Sequence, residues 1–302
     1  MRILVTGVTG QVGSALISRL SRFGTVIPAD RTVIDLSAPR EIAARLNALA
    51  PDIVINPAAY TAVDKAEDDR DLAFLVNETA PLAIARWTAD NHVPLVHFST
   101  DYVFDGTGTT PWRESDSPSP ISVYGLSKLA GEVAIQSVGG PHLIVRTSWV
   151  YAPTGTNFLR TIMRLAHERD ELRIVADQFG APTSAAIIAD AIAAMFAAPQ
   201  GISNVIARDS GLVHLAASGI TTRHEFGCAV VECLNAKGAP LKVTKIVPIS
   251  SDNYAMKAKR PLNCRLDLTR LAQTFGISTP HWRSGLEAAA TDLLPIDDTP
   301  AY

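Results

Sequence analysis

The sequence predicts an α/β protein with a doubly wound parallel sheet, because short apolar segments alternate with longer amphipathic ones through its first half. The segments typical of buried strands are residues 2–6, 25–29, 52–56, 94–100 and 143–148. The segments between them that are typical of helices include residues 40–49, 72–91 and 126–137. Ligands of such sheets bind beyond the carboxyl ends of the strands, so we expect the functional residues there.

Composition narrows the class of protein. Hydrophobic residues make up 47% of the 302 residues and charged residues 19%, as in ordinary globular proteins. The net charge of −3 gives no reason to expect a nucleic acid or an anionic membrane as partner. The three cysteines, Cys228, Cys233 and Cys264, form neither a disulfide framework nor a zinc motif. With no secretion signal or apolar span recognised, we expect a cytoplasmic protein without a bound metal.

The first strand leads into a glycine-rich turn that opens a helix. Gly7, Gly10 and Gly13 stand at three-residue intervals between these two elements. Glycines allow a tight turn and a close backbone approach to a pyrophosphate, and a helix N-terminus attracts the phosphates. A plain strand–helix turn is the alternative, but the spacing favours a dinucleotide site and hence a sheet of the Rossmann type.

Two neighbouring residues leave the cofactor open between NADH and NADPH. The second predicted strand ends at Asp30, where a ribose-binding carboxylate is expected, and this favours NADH. Arg31 follows at once and can pair with the 2′-phosphate of NADPH instead.

Tyr124 and Lys128 are the strongest indication of chemistry. On a helix, residues four apart share one face, so a phenol and an ammonium would lie side by side. A free tyrosine has a pKa of about 10, and a nearby positive charge lowers it. The pair is therefore expected to act as a general acid for interconversion of a carbonyl and an alcohol. Taken alone, the spacing is equally compatible with an accidental pair on a solvated face.

With its glycine turn, Ser99-Thr100 and Tyr124-x-x-x-Lys128, the chain resembles the extended short-chain dehydrogenase/reductases. Within that superfamily it resembles the dTDP-4-dehydrorhamnose reductases, in five blocks that follow one another in family order. The blocks are residues 56–67, 98–106, 123–132, 146–151 and 177–183. The resemblance implies NAD(P)H-dependent reduction of the C4 keto group of dTDP-4-dehydro-6-deoxy-L-mannose to dTDP-L-rhamnose.

The resemblance also implies roles for individual residues. Tyr124 would give a proton to the C4 oxygen, Lys128 would bind the nicotinamide ribose and tune Tyr124, and Thr100 would hydrogen-bond the same oxygen. The implied substrate contacts are Thr100, Asp101, Tyr102 and Trp149. The implied cofactor contacts are Gly7, Thr9, Gly10, Gln11, Val12, Gly13, Asp30, Arg31, Asp35, Leu36, Ala58, Ala59, Tyr60, Thr61, Tyr124 and Lys128.

Simpler roles remain open for several of these residues. Thr100 can cap the segment after its strand, Asp101 can form a turn, and Trp149 can be a core aromatic. His97 lies inside a predicted strand and is interpreted as a core histidine.

Other functions also remain open. A dehydratase of related fold carries Asp-Glu after its threonine, whereas here Tyr102 follows Asp101, which argues against dehydration. A reductase of a related nucleotide 4-keto-6-deoxy sugar and a catalytically silent, cofactor-binding regulatory subunit are the alternatives. The partners expected are a nucleotide sugar and, at most, a second copy of the chain, as a monomer or homodimer. Some members of the family that the chain resembles form dimers linked by a metal ion, which binds a carboxylate early in the first helix. Here Ala15 occupies that position and offers no carboxylate, which argues against a metal-dependent dimer.

In the second half of the chain, predicted strands and helices alternate less regularly. We divide the protein into a dinucleotide-binding domain (1–150) and a smaller, interleaved α/β substrate-binding domain (151–302), with some segments after 175 packing back onto the first. Helices are predicted at 157–169, 184–197, 222–237, 268–275 and 283–294, and a strand at 242–249. Lys259 and Arg260 would either pair with the substrate diphosphate or form a solvated basic turn.

Overall fold

The computed structural model describes residues 1–254 and 256–291. The strands of this part of the chain are β1 (Arg2–Thr6), β2 (Thr25–Ala29), β3 (Ile53–Asn56), β4 (Leu95–Thr100), β5 (His142–Thr147), β6 (Val150–Tyr151), β7 (Glu171–Val175), β8 (Phe179–Gly180), β9 (Thr183–Ser184), β10 (Gly211–His214), β11 (Thr221–Thr222) and β12 (Lys245–Ile249). Six of them form the central, all-parallel sheet, in the order β10-β5-β4-β3-β1-β2, and the others pair in small two-stranded sheets.

Helices cover both faces of this sheet, and others build a second core beside it. They are α1 (Gln11–Leu20), α2 (Pro39–Leu49), α3 (Val63–Ala66), α4 (Arg70–Phe74), α5 (Ala80–Asp90), α6 (Val123–Val138), α7 (Phe158–Glu168), α8 (Ala185–Phe196), α9 (Ile202–Arg208), α10 (Arg223–Ala236), α11 (Thr269–Phe275) and α12 (Trp282–Thr291). A π-helical segment, Leu75–Thr79, joins α4 to α5, so the predicted helix at 72–91 is one nearly continuous element. The predicted doubly wound α/β fold is confirmed.

The sheet is buried on both faces because its strands are apolar at successive positions. Ile3 and Val5 of β1 pack with α1 and α8 on one face, while Leu4 between them packs with α2 and α5 on the other. Side chains alternate across a strand, so a continuous apolar run is what a doubly covered sheet requires. The same pattern in β3, β4 and β5 makes these the central strands.

The sheet draws on both halves of the chain. Its edge strand β10 comes from residues 211–214, a strand that the sequence pattern did not reveal. Helix α8 also packs on the first-half helix α1. The division at residue 150 therefore stays a proposal about function, since elements after 175 belong to the central sheet and its cover.

A second, smaller core forms from the rest of the later residues. Phe226 of α10, Leu159 of α7 and Trp282 of α12 lie in it, together with strand β7, which pairs in parallel with β12. The predicted helices at 157–169, 184–197 and 222–237 correspond to α7, α8 and α10. The last predicted helix is α12 as far as Thr291, and its predicted residues 292–294 lie outside the described residues.

Helix α6 carries the tyrosine–lysine pair. Ser122 caps it by accepting a hydrogen bond from the Gly125 amide, and Gly139 ends it in a left-handed conformation. The helix therefore begins before Tyr124, so both residues of the pair lie on it. Within the described residues, no helix is long and apolar enough to cross a membrane.

Candidate active site

A cleft of about 1610 Å³ lies at the carboxyl ends of the sheet strands and extends to the second core. It contains eleven of the sixteen predicted cofactor residues and all four predicted substrate residues. The predicted residues that line it are Gly7, Thr9, Gly10, Gln11, Val12, Gly13, Ala58, Ala59, Thr61, Thr100, Asp101, Tyr102, Tyr124, Lys128 and Trp149. Asp30, Arg31, Asp35, Leu36 and Tyr60 are not among the residues that line it.

The glycine turn leaves no room for side chains. Gly7 has φ +57°, and a Cβ added there would lie 2.9 Å from Ala58 Cα. A Cβ added at Gly13 would lie 2.2 Å from the Gly7 carbonyl oxygen. The turn thus brings bare backbone from β1 and the first turn of α1 to the cleft wall. This cradle fits the pyrophosphate of a dinucleotide.

Asp30 and Arg31 lie beside this turn, because Ala29 at the end of β2 pairs with Thr6 at the end of β1. The Asp30 carboxylate accepts hydrogen bonds from the amide and hydroxyl of Thr32, which lower its pKa. Arg31 is exposed, and its Nε lies 3.3 Å from a carboxylate oxygen of Asp35. Leu36 is in the core below. Arg31 thus presents an exposed guanidinium next to the Asp30 carboxylate and beside the glycine turn.

The segment after β3 forms the facing wall. Ala58, Ala59 and Thr61 line the cleft. Tyr60 turns away, and its phenol donates to Asp69 at 2.9 Å. Its backbone is held by Asn77, whose side chain accepts from the Tyr60 amide and donates to the Tyr60 carbonyl. The side chain and the backbone of Tyr60 are thus both engaged within the protein, and Tyr60 supports the wall from behind.

Thr100 has the capping role that the sequence allowed, and its implied contact with the substrate stays a prediction. Its hydroxyl accepts a hydrogen bond from the Tyr102 amide and so caps the short 3₁₀ turn after β4. It also donates to a carboxylate oxygen of Asp101 at 2.9 Å, and its proximity to Tyr124 lowers the pKa of that phenol. Asp101 is almost completely buried, and this burial raises its pKa to about 6.

The expected lowering of the Tyr124 pKa by Lys128 is wrong for the protein without ligands. Burial raises the pKa of Tyr124 to about 12, and the neighbouring Thr100 hydroxyl opposes this rise. The Lys128 amine lies 2.7 Å from the Phe98 carbonyl oxygen, to which it donates. Burial also lowers the pKa of Lys128 to about 8, so the amine is a weaker source of positive charge than the spacing implied.

His97 is a functional candidate that the sequence did not indicate. It is fully buried in β4, as predicted for a core histidine, but its Nε2 lies 3.2 Å from the Lys128 amine. Its Nδ1 lies 3.0 Å from the Asn56 side-chain amide nitrogen. Residues 97 and 128 are distant in the sequence, so no local pattern could have connected them.

Arg223 is a second residue that was missed. It opens α10 and lines the cleft, where its guanidinium carbon lies 3.7 Å from the centre of a Trp149 ring. Trp149 itself is largely buried and has φ +48°, a strained backbone conformation that is concentrated at functional sites. The ring also packs on Gly180, where an added Cβ would lie 2.8 Å from it. Trp149 is thus both a packed aromatic and part of the cleft wall.

The two basic residues proposed for a diphosphate differ in position. Arg260 lines the cleft and pairs with Asp64 at 2.5 Å. Lys259 is exposed and is not among the cleft residues. Arg223 has no carboxylate within 4.0 Å among residues 1–254 and 256–291, so its charge is available to a ligand.

Known proteins of similar sequence are reductases, in agreement with the geometry of the cleft. Residues 1–294 match the family model described as RmlD substrate binding domain. The chain is 45% identical over 296 residues to a dTDP-4-dehydrorhamnose reductase of Burkholderia thailandensis, covering 97% of this chain and 99% of the relative. It is 41% identical to that of Escherichia coli K12, with 97% and 98% covered.

Solved structures of the same family are also similar. A dTDP-4-dehydrorhamnose reductase from Clostridium acetobutylicum superposes with a TM-score of 0.88 at 32% identity, covering 97% of this chain and 99% of the other. One from Bacillus anthracis in complex with NADP gives a TM-score of 0.86 at 32% identity, with 96% and 99% covered. A Thermus thermophilus UDP-glucose 4-epimerase, 20% identical at a TM-score of 0.77, shares the fold alone. The chain belongs to the dTDP-4-dehydrorhamnose reductase family.

Proposed function

We propose that the protein uses NADPH to reduce the C4 keto group of dTDP-4-dehydro-6-deoxy-L-mannose, forming dTDP-L-rhamnose. The observation that carries this is the placement of Thr100, Tyr124 and Lys128 in the same cleft as the glycine cradle. Membership of the family and the NADP bound to the Bacillus anthracis relative support the same reaction and coenzyme. When bound, NADPH supplies the hydride.

The side chains of this protein handle the charge that develops on the C4 oxygen. Thr100 and Tyr124 donate hydrogen bonds to that oxygen, and these strengthen as its negative charge grows. Tyr124 then gives up its proton. In the absence of ligand its pKa of about 12 holds that proton tightly, so the nearby Lys128 ammonium is needed to stabilise the phenolate.

Charge also positions the nucleotide part of the substrate. Arg223 and Arg260 line the cleft beyond Trp149, and both present guanidinium groups, which bind phosphate oxygens in a bidentate manner. The stacking of Arg223 on Trp149 orients its guanidinium group before substrate arrives. These two arginines are the proposed diphosphate contacts.

Loss of absorbance at 340 nm tests the reaction when the protein is mixed with NADPH and the 4-keto nucleotide sugar. NMR analysis of the product identifies the C4 configuration and separates the L-rhamno from the L-talo epimer. A Tyr124→Phe variant should lose at least about 100-fold in kcat while still binding NADPH. Unchanged turnover in that variant would show that another group donates the proton.

The competing function is a catalytically silent, cofactor-binding regulatory subunit. No absorbance loss, combined with recovery of a partner enzyme in a fixed ratio, would support it. A protein active on a different nucleotide 4-keto-6-deoxy sugar would instead show turnover with that sugar and none with the dTDP-linked one.

A further inference from the structure

Four buried polar side chains form a continuous row of contacts from Thr6 at the end of β1 to Lys128 on α6. The Thr6 hydroxyl lies 2.6 Å from the Asn56 side-chain oxygen, and the Asn56 amide nitrogen lies 3.0 Å from His97 Nδ1. His97 Nε2 lies 3.2 Å from the Lys128 amine. All four are buried, and they come from β1, β3, β4 and α6. A buried polar group costs free energy unless it is hydrogen-bonded, so this arrangement holds each member in place.

We propose that His97 is a positioning residue that fixes the Lys128 amine and supports its charged form during the reaction. This inference rests on the proposed roles of Tyr124 and Lys128. The Phe98 carbonyl accepts one proton of the ammonium at 2.7 Å, and His97 accepts a second through Nε2. The third proton is left for the cleft side, where Tyr124 and the nicotinamide ribose are expected.

The asparagine lets the histidine ring adapt to the lysine. With the Asn56 oxygen toward Thr6, its nitrogen donates to His97 Nδ1, so the ring proton lies on Nε2 and faces a neutral amine. Turning the amide over places its oxygen on Nδ1, which then carries the proton, and Nε2 accepts from an ammonium. The ring stays neutral in both arrangements, consistent with burial, which lowers the pKa of His97 well below its ordinary value.

The other charged and polar groups near the Lys128 amine lie on its own helix and on the segments packed against that helix. Glu132 follows one turn later on α6 and raises the pKa of Lys128, but its carboxylate is already paired with Arg146 of β5. Tyr124 lies one turn earlier, and Asp101 acts on Tyr124. From β4 the contacts are His97 and the Phe98 carbonyl. Removing His97 therefore takes away an acceptor that these charges do not replace.

The test measures kcat and kcat/KM between pH 6 and pH 10 in four variants. His97→Leu should lower kcat tenfold or more and move the alkaline limb of the kcat–pH profile about one pH unit lower, because the ammonium loses a hydrogen bond and its pKa falls. His97→Gln, which can place an oxygen where Nε2 lies, should restore most of both. His97→Asn mimics only Nδ1 and should not. His214→Leu, at a second buried histidine outside the cleft, is the matched control and should leave the limb in place.

Variants of Lys128 distinguish a failure of the proposed role of His97 from a failure of the proposed function. Lys128→Met should be nearly inactive, and adding His97→Leu to it should change the residual kcat by less than about twofold. A Lys128→Met variant with full turnover would refute the proposed role of the lysine. If Lys128→Met is inactive but His97→Leu leaves the alkaline limb unmoved, the role of His97 is refuted and that of the lysine is not. The same conclusion follows if His97→Gln and His97→Asn behave alike. A wild-type profile flat to pH 10 would overturn it too. If His97→Leu does not fold, as judged by circular dichroism, the Gln and Asn pair decides.

Discussion

The guanidinium of Arg223 lies over the Trp149 ring, with 3.7 Å between the guanidinium carbon and the ring centre. The two residues are 74 positions apart, and they meet because α10 begins at the edge of the cleft into which Trp149 projects. The stack gives the substrate side of the cleft an oriented positive charge. This arrangement places a proposed diphosphate contact next to a predicted sugar contact.

Removing the charge of Arg223 should weaken substrate binding more than catalysis. Arg223→Gln is expected to raise KM for the nucleotide sugar about tenfold to 100-fold while kcat changes little, since a charge-assisted hydrogen bond contributes about 1.5–3 kcal/mol. Initial rates at varied substrate give both constants. Arg283→Gln, at an arginine over Trp282 that is paired with Glu232, is the matched control and should behave as wild type. An unchanged KM in Arg223→Gln would contradict the diphosphate role.

Arg31 should determine the preference between the two nicotinamide coenzymes. Arg31→Ala is expected to raise KM for NADPH about tenfold and to leave KM for NADH unchanged, because only NADPH carries the 2′-phosphate. Arg22→Ala, at another exposed arginine of the same region, provides the control. Equal losses with both coenzymes would mean that Arg31 acts on the shape of the loop and not on the phosphate.

Asp101 should make stability depend on pH. Its pKa of about 6 in the folded protein exceeds the ordinary 3.8, so the folded state binds this proton more tightly than the unfolded chain. The resulting stabilisation is fully present below about pH 4 and is lost as the pH rises through 6. Asp101→Asn stays neutral and should therefore raise the free energy of unfolding at pH 8 by roughly 1–3 kcal/mol.

Urea unfolding of this variant at pH 4.5, 6 and 8 checks the prediction. The gain should shrink toward the lowest pH, and the variant should lose activity because Asp101 is a predicted substrate contact. Asp190→Asn, at an exposed carboxylate paired with Arg19, should show no comparable trend. Equal stability of wild type and Asp101→Asn at pH 8 would refute the argument.

The buried ion pair between Glu132 and Arg146 should be important for stability. Two hydrogen bonds of 2.6 Å and 2.9 Å join them, and both side chains are 2% exposed. Glu132→Gln would leave an uncompensated buried guanidinium and should cost about 3–5 kcal/mol of unfolding free energy. Glu168→Gln, which breaks the exposed pair with Arg164, should cost less than about 1 kcal/mol in the same chemical unfolding experiment. Comparable losses in the two variants would contradict this reading.

Some features of the site could be predicted from local sequence alone. The glycine turn, the helix that carries Tyr124 and Lys128, and the polar residues after β4 each lie within a stretch of a few residues. Strand ends of a parallel sheet meet at one edge, so the shared location of these motifs followed from the fold class. That reasoning predicted the strands of the first half closely but missed β10, whose four residues carry little periodic signal.

What the sequence by itself determined was the doubly wound sheet, the glycine turn and the helix that carries Tyr124 and Lys128, because each depends on residue type and short-range spacing. The tertiary structure decided the electrostatics. Burial raises the pKa of Tyr124 where the spacing suggested a lowering, and contact with His97 and Phe98 determines where the Lys128 amine lies. It also brought Arg223 onto Trp149. Desolvation and contacts between distant segments depend on how the whole chain packs, and no local pattern in the sequence encodes them.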